Sequence, residues 1–183
     1  MTDDALSGLV RISRFLSYVL RHRPDAIGIR LDDGGWVDID ELLAALTRAG
    51  RPLDRATLER VAAGTDKRRL EIRGDRVRAA QGHTVPVDLG LAPVEPPAVL
   101  YHGTVAGSLS GIRAEGIEPR GRTHVHLSTD VPTATSVGAR RGDPVVLAID
   151  AEGMHRLGHE FFLAANGVWL TDHVPPEFIR PIP

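Results

Sequence analysis

The side chains best suited to chemistry in this 183-residue sequence are arginines and histidines grouped at a few tight spacings. Arg21-His22-Arg23 closes a helical pattern. Cations in a last helical turn complement the helix dipole, which is the plainer reading. The alternative is an anion site, with guanidinium forks for phosphate and an imidazole as donor or acid. Lys67-Arg68-Arg69, followed by Arg73, Arg76 and Arg78, forms a basic run. Such runs are ordinarily solvated faces, but this one is concentrated on a single hairpin, which suits contact with a phosphate backbone. In Tyr101-His102-Gly103-Thr104, Gly103 would let a ligand approach the backbone, and exposed amides with the Thr104 hydroxyl would suit a diphosphate or ribose. An ordinary strand-end turn is the competing reading. His124 and His126 are two residues apart and share one strand face. With no third and fourth ligand nearby, no metal is expected there.

Several elements must position these groups. Leu9, Ile12, Leu16, Val19 and Leu20 recur at three- and four-residue steps and predict an amphipathic helix ending near Arg23, because Pro24 disfavours helix in the residue before it. Ile27, Ile29 and Leu31 alternate and predict a short strand before an Asp33-Gly34-Gly35 turn. Asp38 reads as an N-cap with Glu41 as its capping-box partner, opening a helix that carries Leu42, Leu43 and Leu46 and stops at Gly50. Asp54 predicts a further helix to Gly64. Leu70 and Ile72, a Gly74-Asp75 turn, then Val77 and Ala79 predict a β-hairpin. Three helices followed by a hairpin is the order of a winged-helix module.

Prolines crowd the stretch from Gly82 to Pro97 and break any helix or central strand. The chain is therefore divided into a winged-helix lobe over 1–81, a proline-rich linker over 82–98 and a second lobe over 99–183. In the second lobe strands are predicted at Val99–His102, Val125–Ser128, Val145–Asp150, Phe161–Leu163 and Val168–Leu170, the last two flanking an Asn166-Gly167 hairpin signal. Helical patches lie at Leu109–Glu115 and Pro132–Arg140. The overall fold class is α+β, with an antiparallel-leaning sheet in the second lobe.

Composition excludes several functions. With no Cys, disulfide scaffolds, thiolate metal sites and cysteine nucleophiles are ruled out. No apolar stretch approaches the ~20 residues of a membrane-spanning helix. The acidic N-terminus has no apolar run resembling a secretory signal, so a cytoplasmic protein is expected, and nothing demands more than a monomer. The net charge of −2 is uneven. Residues 1–80 carry 15 Lys and Arg against 13 Asp and Glu, whereas residues 81–183 carry 7 against 11.

Seven motifs occur in one order: Leu16-Ser17-Tyr18-Val19-Leu20-Arg21-His22-Arg23-Pro24, Asp33-Gly34-Gly35-Trp36-Val37, Asp66-Lys67-Arg68-Arg69-Leu70, Arg78-Ala79-Ala80-Gln81-Gly82-His83, Tyr101-His102-Gly103-Thr104, His124-Val125-His126-Leu127-Ser128 and Asn166-Gly167-Val168-Trp169-Leu170-Thr171. Together they resemble the tRNA 2′-phosphotransferase family over nearly the whole chain, from about Leu9 to Phe178. The resemblance implies a winged-helix RNA lobe followed by an ADP-ribosyltransferase-like lobe that binds NAD+ as co-substrate. It also implies a two-step removal of an internal RNA 2′-phosphate through an ADP-ribosylated RNA intermediate. Products would be 2′-OH RNA, ADP-ribose 1″,2″-cyclic phosphate and nicotinamide.

By the same resemblance the catalytic set falls on Arg21, His22, Arg69 and Arg122. A dianionic phosphate is already a nucleophile, so such a set would act by neutralising and aligning charge rather than by strong base catalysis. The cofactor residues fall on His102, Gly103, Thr104, His126, Ser128 and Arg140, with Val168 at a third signature position. Two positions depart from the family's pattern. Leu70 stands where an aromatic is usual, and Ala80 where Asn is usual, removing an amide that could help to read RNA. Two further readings are carried: an ADP-ribosyltransferase acting on terminal phosphates of RNA or DNA, and a non-catalytic winged-helix sensor of NAD+ or ADP-ribose. An intact Arg122 beside the His124-Val125-His126 run disfavours the sensor.

Overall fold

The amphipathic N-terminal pattern folds as α1 (Asp3–His22) in a computed structural model that describes residues 3–64 and 68–182. The chain divides into two compact units, Met1–Gly90 and Leu91–Pro183. Both combine helices with antiparallel strands, which is the α+β class.

In the first unit α1 is followed by β1 (Val37–Asp38), α2 (Ile39–Arg48), α3 (Arg55–Gly64) and the hairpin β2 (Leu70–Arg73) and β3 (Arg76–Ala79). The three strands form an antiparallel sheet in the order β1-β3-β2. One apolar cluster joins Leu16, Val19 and Leu20 of α1 to Ile39, Leu42 and Leu46 of α2, Leu58 and Val61 of α3, and Leu70 and Val77 of the sheet. Asp38 caps α2 by accepting from the N–H groups of Asp40 and Glu41, and Asp54 accepts from Thr57 at the start of α3. Both caps are the ones the sequence predicts. Asp66 and Lys67 of the predicted catalytic motif lie outside the described residues.

One predicted element is absent. The Ile27–Leu31 alternation does not form a strand; Pro24–Ile27 is instead a short 3₁₀ helix with Pro24 in its first turn. Gly28, at φ 70°, ends it and returns its N–H to the carbonyls of Asp25 and Pro24. Ile29 is nevertheless buried, so the apolar spacing reflects core contact without strand geometry.

The second unit contains β4 (Val99–Val105), α4 (Leu109–Glu115), β5 (Val125–Leu127), α5 (Val131–Gly138), β6 (Pro144–Asp150), α6 (Ala151–Arg156), β7 (Phe162–Leu163), β8 (Trp169–Thr171) and β9 (Ile179–Pro181). Its strands form two antiparallel sheets, β4-β6-β9 and β5-β8-β7. Reciprocal hydrogen bonds between Tyr101 and Ser128, both 2.8 Å, tie the middle of β4 to the end of β5. Two elements, α6 and β9, have no counterpart in the sequence pattern. Asp150 ends β6 and caps α6 through Gly153 N–H, so a single residue turns strand into helix. The strand β9 carries Pro181 at the sheet edge, where a missing N–H is tolerated.

The proline-rich stretch is divided between the units. Thr84, Val85, Asp88 and Leu89 all bond back into the first unit. Pro93 bridges to Phe162, and Val94 N–H donates to the Phe161 carbonyl, in the second.

Candidate active site

On the first unit, α1 delivers Arg21 and His22 at its C-terminus. Ser13, Ser17 and Arg21 follow at four-residue steps and so share one helix face. Arg69 comes to the same face from just before β2, its Nη1 lying 3.5 Å from Ser13 Oγ. His22 Nδ1 is 3.0 Å from Thr84 Oγ1, and the Thr84 N–H donates to the Arg21 carbonyl at 2.9 Å. Arg23, in contrast, turns away to pair with Asp25 at 3.1 Å.

Beneath this group lies His83, fully buried, with neither ring nitrogen hydrogen-bonded among the described residues. Burial, followed by the charges of Arg21, Arg78 and His22, pushes its imidazole down to about 4. It is therefore neutral at ordinary pH.

The basic hairpin needs a correction. Arg78 is only 3% exposed and cannot meet a nucleic-acid backbone. It pairs with Glu71 at 2.8 Å, donates to the carbonyls of Gly34 and Leu89, and stacks over Trp36 at 4.4 Å. Glu71 also holds Arg73, and Asp32 holds Arg76. Three of the six basic residues of the run, Arg73, Arg76 and Arg78, are thus spent on internal pairing. Composition counts charges but not their partners.

On the second unit a cationic cluster surrounds two histidines. Arg122 Nη1 donates to His126 Nδ1 at 3.0 Å. A guanidinium only donates, so Nδ1 carries the lone pair and the neutral His126 ring has its proton on Nε2. His102 Nδ1 donates to the His126 carbonyl at 3.2 Å, leaving its own Nε2 as the acceptor. Burial lowers the His102 pKa; the bond to the His126 carbonyl opposes this, and Arg141, Arg122 and Arg120 reinforce it. Arg122 is itself lowered, by burial first and then by Arg141 and Arg140. Cationic side chains therefore crowd a neutral imidazole in a half of the chain whose overall balance is acidic. Arg120, at φ 50°, is the one non-glycine residue with positive φ among the described residues, and Gly121 follows it at φ 72°. This tight turn leads directly to Arg122.

Gly103 has a packing role besides the one its motif suggests. A Cβ there would collide with the Ala134 carbonyl, and one at Gly138 would come within 2.8 Å of the Thr104 carbonyl. The two glycines let α5 lie directly on β4, so the side of Gly103 where a Cβ would stand is filled by helix. Thr104 is buried in the same contact, at 3% exposure. Ser128 is held through its backbone to Tyr101 and is partly exposed. Arg140 follows the C-terminus of α5, and Val168 lies in the turn between β7 and β8. His124 does not join His126: its ring packs on Phe162 and its Nε2 lies 3.6 Å from Asp172. Among the described residues no group of three or more His, Asp or Glu side chains could hold a metal ion.

Guanidiniums gathered beside neutral histidines are a donor set for phosphate groups, and known proteins give that chemistry a family. Residues 7–173 match the RNA 2′-phosphotransferase, Tpt1 / KptA family. The chain belongs to the RNA 2′-phosphotransferase family. Similar proteins include the probable RNA 2′-phosphotransferase of Streptomyces griseus, 55% identical over 93% of this chain and 95% of that one. That of Burkholderia lata is 56% identical over 93% and 89%, and that of Nostoc punctiforme 51% identical over 96% and 98%.

Within a family member, the two departures take on a structural sense. Leu70 and Ala80 are both buried, Leu70 in the apolar cluster of the first unit. An amide at position 80 would be an interior group, so the expectation that it reads RNA directly is not supported by its burial. Sequence reasoning missed Thr84, Arg120 and Arg141. Thr84 stands one residue past the Arg78–His83 motif, and Arg141 one residue past Arg140, without a spacing rule to single either out.

Proposed function

We propose that this chain is an NAD+-dependent RNA 2′-phosphotransferase, with a winged-helix-like first unit for RNA and an ADP-ribosyltransferase-like second unit for NAD+. The supporting observation is that each unit of this family member carries its own arginine–histidine group: Arg21, His22 and Arg69 on the first, and Arg122 with His126 and His102 on the second. The donor set of the second unit fits a dinucleotide diphosphate. Arg140 and Arg141 supply charge, Ser128 offers a hydroxyl, and His102 offers a neutral acceptor nitrogen.

In this reading the RNA 2′-phosphate attacks C1″ of the nicotinamide ribose and nicotinamide leaves with the bonding pair. The ribose O2″ hydroxyl then attacks phosphorus and gives up its proton, the RNA 2′-oxygen leaves with the P–O bonding pair and takes up a proton, and ADP-ribose 1″,2″-cyclic phosphate is released. Arg21, Arg69 and Arg122 would neutralise the phosphate. His22 would accept the O2″ proton and relay it to the departing oxygen.

Incubating the protein with NAD+ and oligoribonucleotides bearing either an internal 2′-phosphate or a 5′-phosphate, with products followed by mass, tests the reading. The internal substrate should yield 2′-OH RNA and nicotinamide. A stable adduct on the 5′-phosphate alone would instead support terminal ADP-ribosylation, and binding without NAD+ consumption a sensor. Arg69→Ala belongs in the same assay. Charge builds on phosphorus in the second step, where losing a preorganised donor costs ~3–4 kcal/mol. The variant should accumulate ADP-ribosylated RNA while nicotinamide release continues. Parallel loss of both would remove Arg69 from the second step.

A further inference from the structure

The last four carbonyls of a helix have no partner within it, and α1 must end at a proline-led turn without a glycine cap. Its end is secured from far along the sequence. After β3 the chain runs Ala80-Gln81-Gly82-His83-Thr84, reversing at Gly82, whose φ is 85°. At the start of this short strap the Ala80 N–H donates to the Arg69 carbonyl at 2.9 Å. At its end the Thr84 N–H donates to the Arg21 carbonyl at 2.9 Å, with Val85 N–H behind it at 3.4 Å. Between them His83 is fully buried, and Gly35 packs so closely that a Cβ there would lie 3.2 Å from His83 Nε2. Five consecutive residues therefore fasten the backbones of Arg69 and Arg21 and touch the ring of His22.

We propose that this strap is the positioning element of the first-unit group and that Thr84 is the positioning residue for His22. The Thr84 hydroxyl has two neighbours, His22 Nδ1 at 3.0 Å and the Arg21 carbonyl at a longer 3.4 Å. The Arg21 carbonyl can only accept; with the hydroxyl proton turned to it, the Thr84 oxygen accepts from His22 Nδ1–H. That choice sets both the tautomer and the rotation of the ring: Nδ1–H is held by Thr84, and the lone pair lies on Nε2. A ring that rotated or changed tautomer would present the wrong nitrogen for part of the time. His83 supports the arrangement from below. Being neutral, it fills the space under Arg21 and His22 without adding a positive charge beside the Arg21 guanidinium.

The inference rests on the phosphotransferase reading for the use of His22, but not for its geometry, and the test separates the two. Full-length protein is compared as wild type, Thr84→Val and Thr84→Ser. Valine keeps the branched shape and removes the hydroxyl, while serine keeps the hydroxyl. The first readout is the ring nitrogen spectrum of His22, assigned with His22→Asn. Wild type and Thr84→Ser should show the Nδ1–H tautomer, and Thr84→Val a mixture or the other form. The second is turnover of an internal 2′-phosphate oligonucleotide. Thr84→Val should lower kcat between about tenfold and a hundredfold, the lower part of what a general acid or base is worth. The KM for NAD+ should hold within about twofold, and Thr84→Ser should recover most of the rate. An unchanged His22 tautomer in Thr84→Val overturns the proposal whatever the activity. So does an unchanged kcat in an active enzyme. If wild type turns over no 2′-phosphate, the phosphotransferase reading fails and the nitrogen spectrum alone decides the role of Thr84.

Discussion

At the scale of single residues, burial decides which charges are available. Arg78 lies in the most basic stretch of the chain, yet it is enclosed by Glu71, Trp36 and two carbonyls. His83 is the opposite case, an interior imidazole kept neutral by burial and by Arg21, Arg78 and His22. Its folded pKa of about 4 lies below the ordinary 6.5, so between these values the unfolded chain binds the extra proton. Stability linked to His83 is therefore complete above about pH 6.5 and is lost as pH falls towards 4. The shift corresponds to on the order of 3 kcal/mol, of which about 2 kcal/mol is gone by pH 5. Denaturant unfolding of the first unit, followed by Trp36 fluorescence in a Trp169→Phe background, should show this loss between pH 7 and pH 5. His83→Leu should flatten it. An equal pH dependence in the leucine variant would mean that other groups carry the effect.

At the scale of elements, close approach and capping matter more than propensity. The helix α5 lies on β4 because Gly103 and Gly138 leave no side chain between the two backbones. Gly103→Ala places a methyl against the Ala134 carbonyl and must displace α5. Overpacking of this kind costs about 1–3 kcal/mol, and a rigid backbone opposite puts this site at the upper end. A matching drop in the unfolding midpoint of the second unit checks it. A variant as stable as wild type would show that α5 can shift freely. The same contact flanks His102 and Thr104, so weaker NAD+ binding should accompany the loss.

At the scale of the whole molecule, two cores share one chain, and their boundary lies inside the proline-rich stretch. Residues 84–89 bond into the first unit, while Pro93 and Val94 pair with Phe162 and Phe161 in the second. A fragment beginning at Leu91 keeps those pairings; one beginning at residue 98 loses them. The 91–183 fragment should therefore fold cooperatively and bind NAD+ or ADP-ribose, and the 98–183 fragment should melt lower. Neither should remove a 2′-phosphate, because Arg21, His22 and Arg69 are missing. Circular dichroism melts and ligand-shifted midpoints check the first point. Phosphate removal by either fragment would overturn the assignment of catalytic groups to both units.

Much of this molecule is written in local rules, which the sequence by itself determines. Asp38 and Asp54 cap helices, Gly74-Asp75 turns a hairpin, and seven ordered motifs carry the family resemblance, because each depends on neighbours within a few residues. Local rules fail where a distant partner decides. The spacing of Ile27, Ile29 and Leu31 is that of a strand, but Pro24 and Gly28 build a 3₁₀ turn, and Ile29 is buried in the core with Ile27 and Leu31 half-buried against it. The contact of Gly103 with α5 is invisible in its motif. Likewise, nothing near Thr84 in the sequence points to His22. The hairpin and the strap close their separation of 62 positions, so that contact was decided by tertiary packing alone.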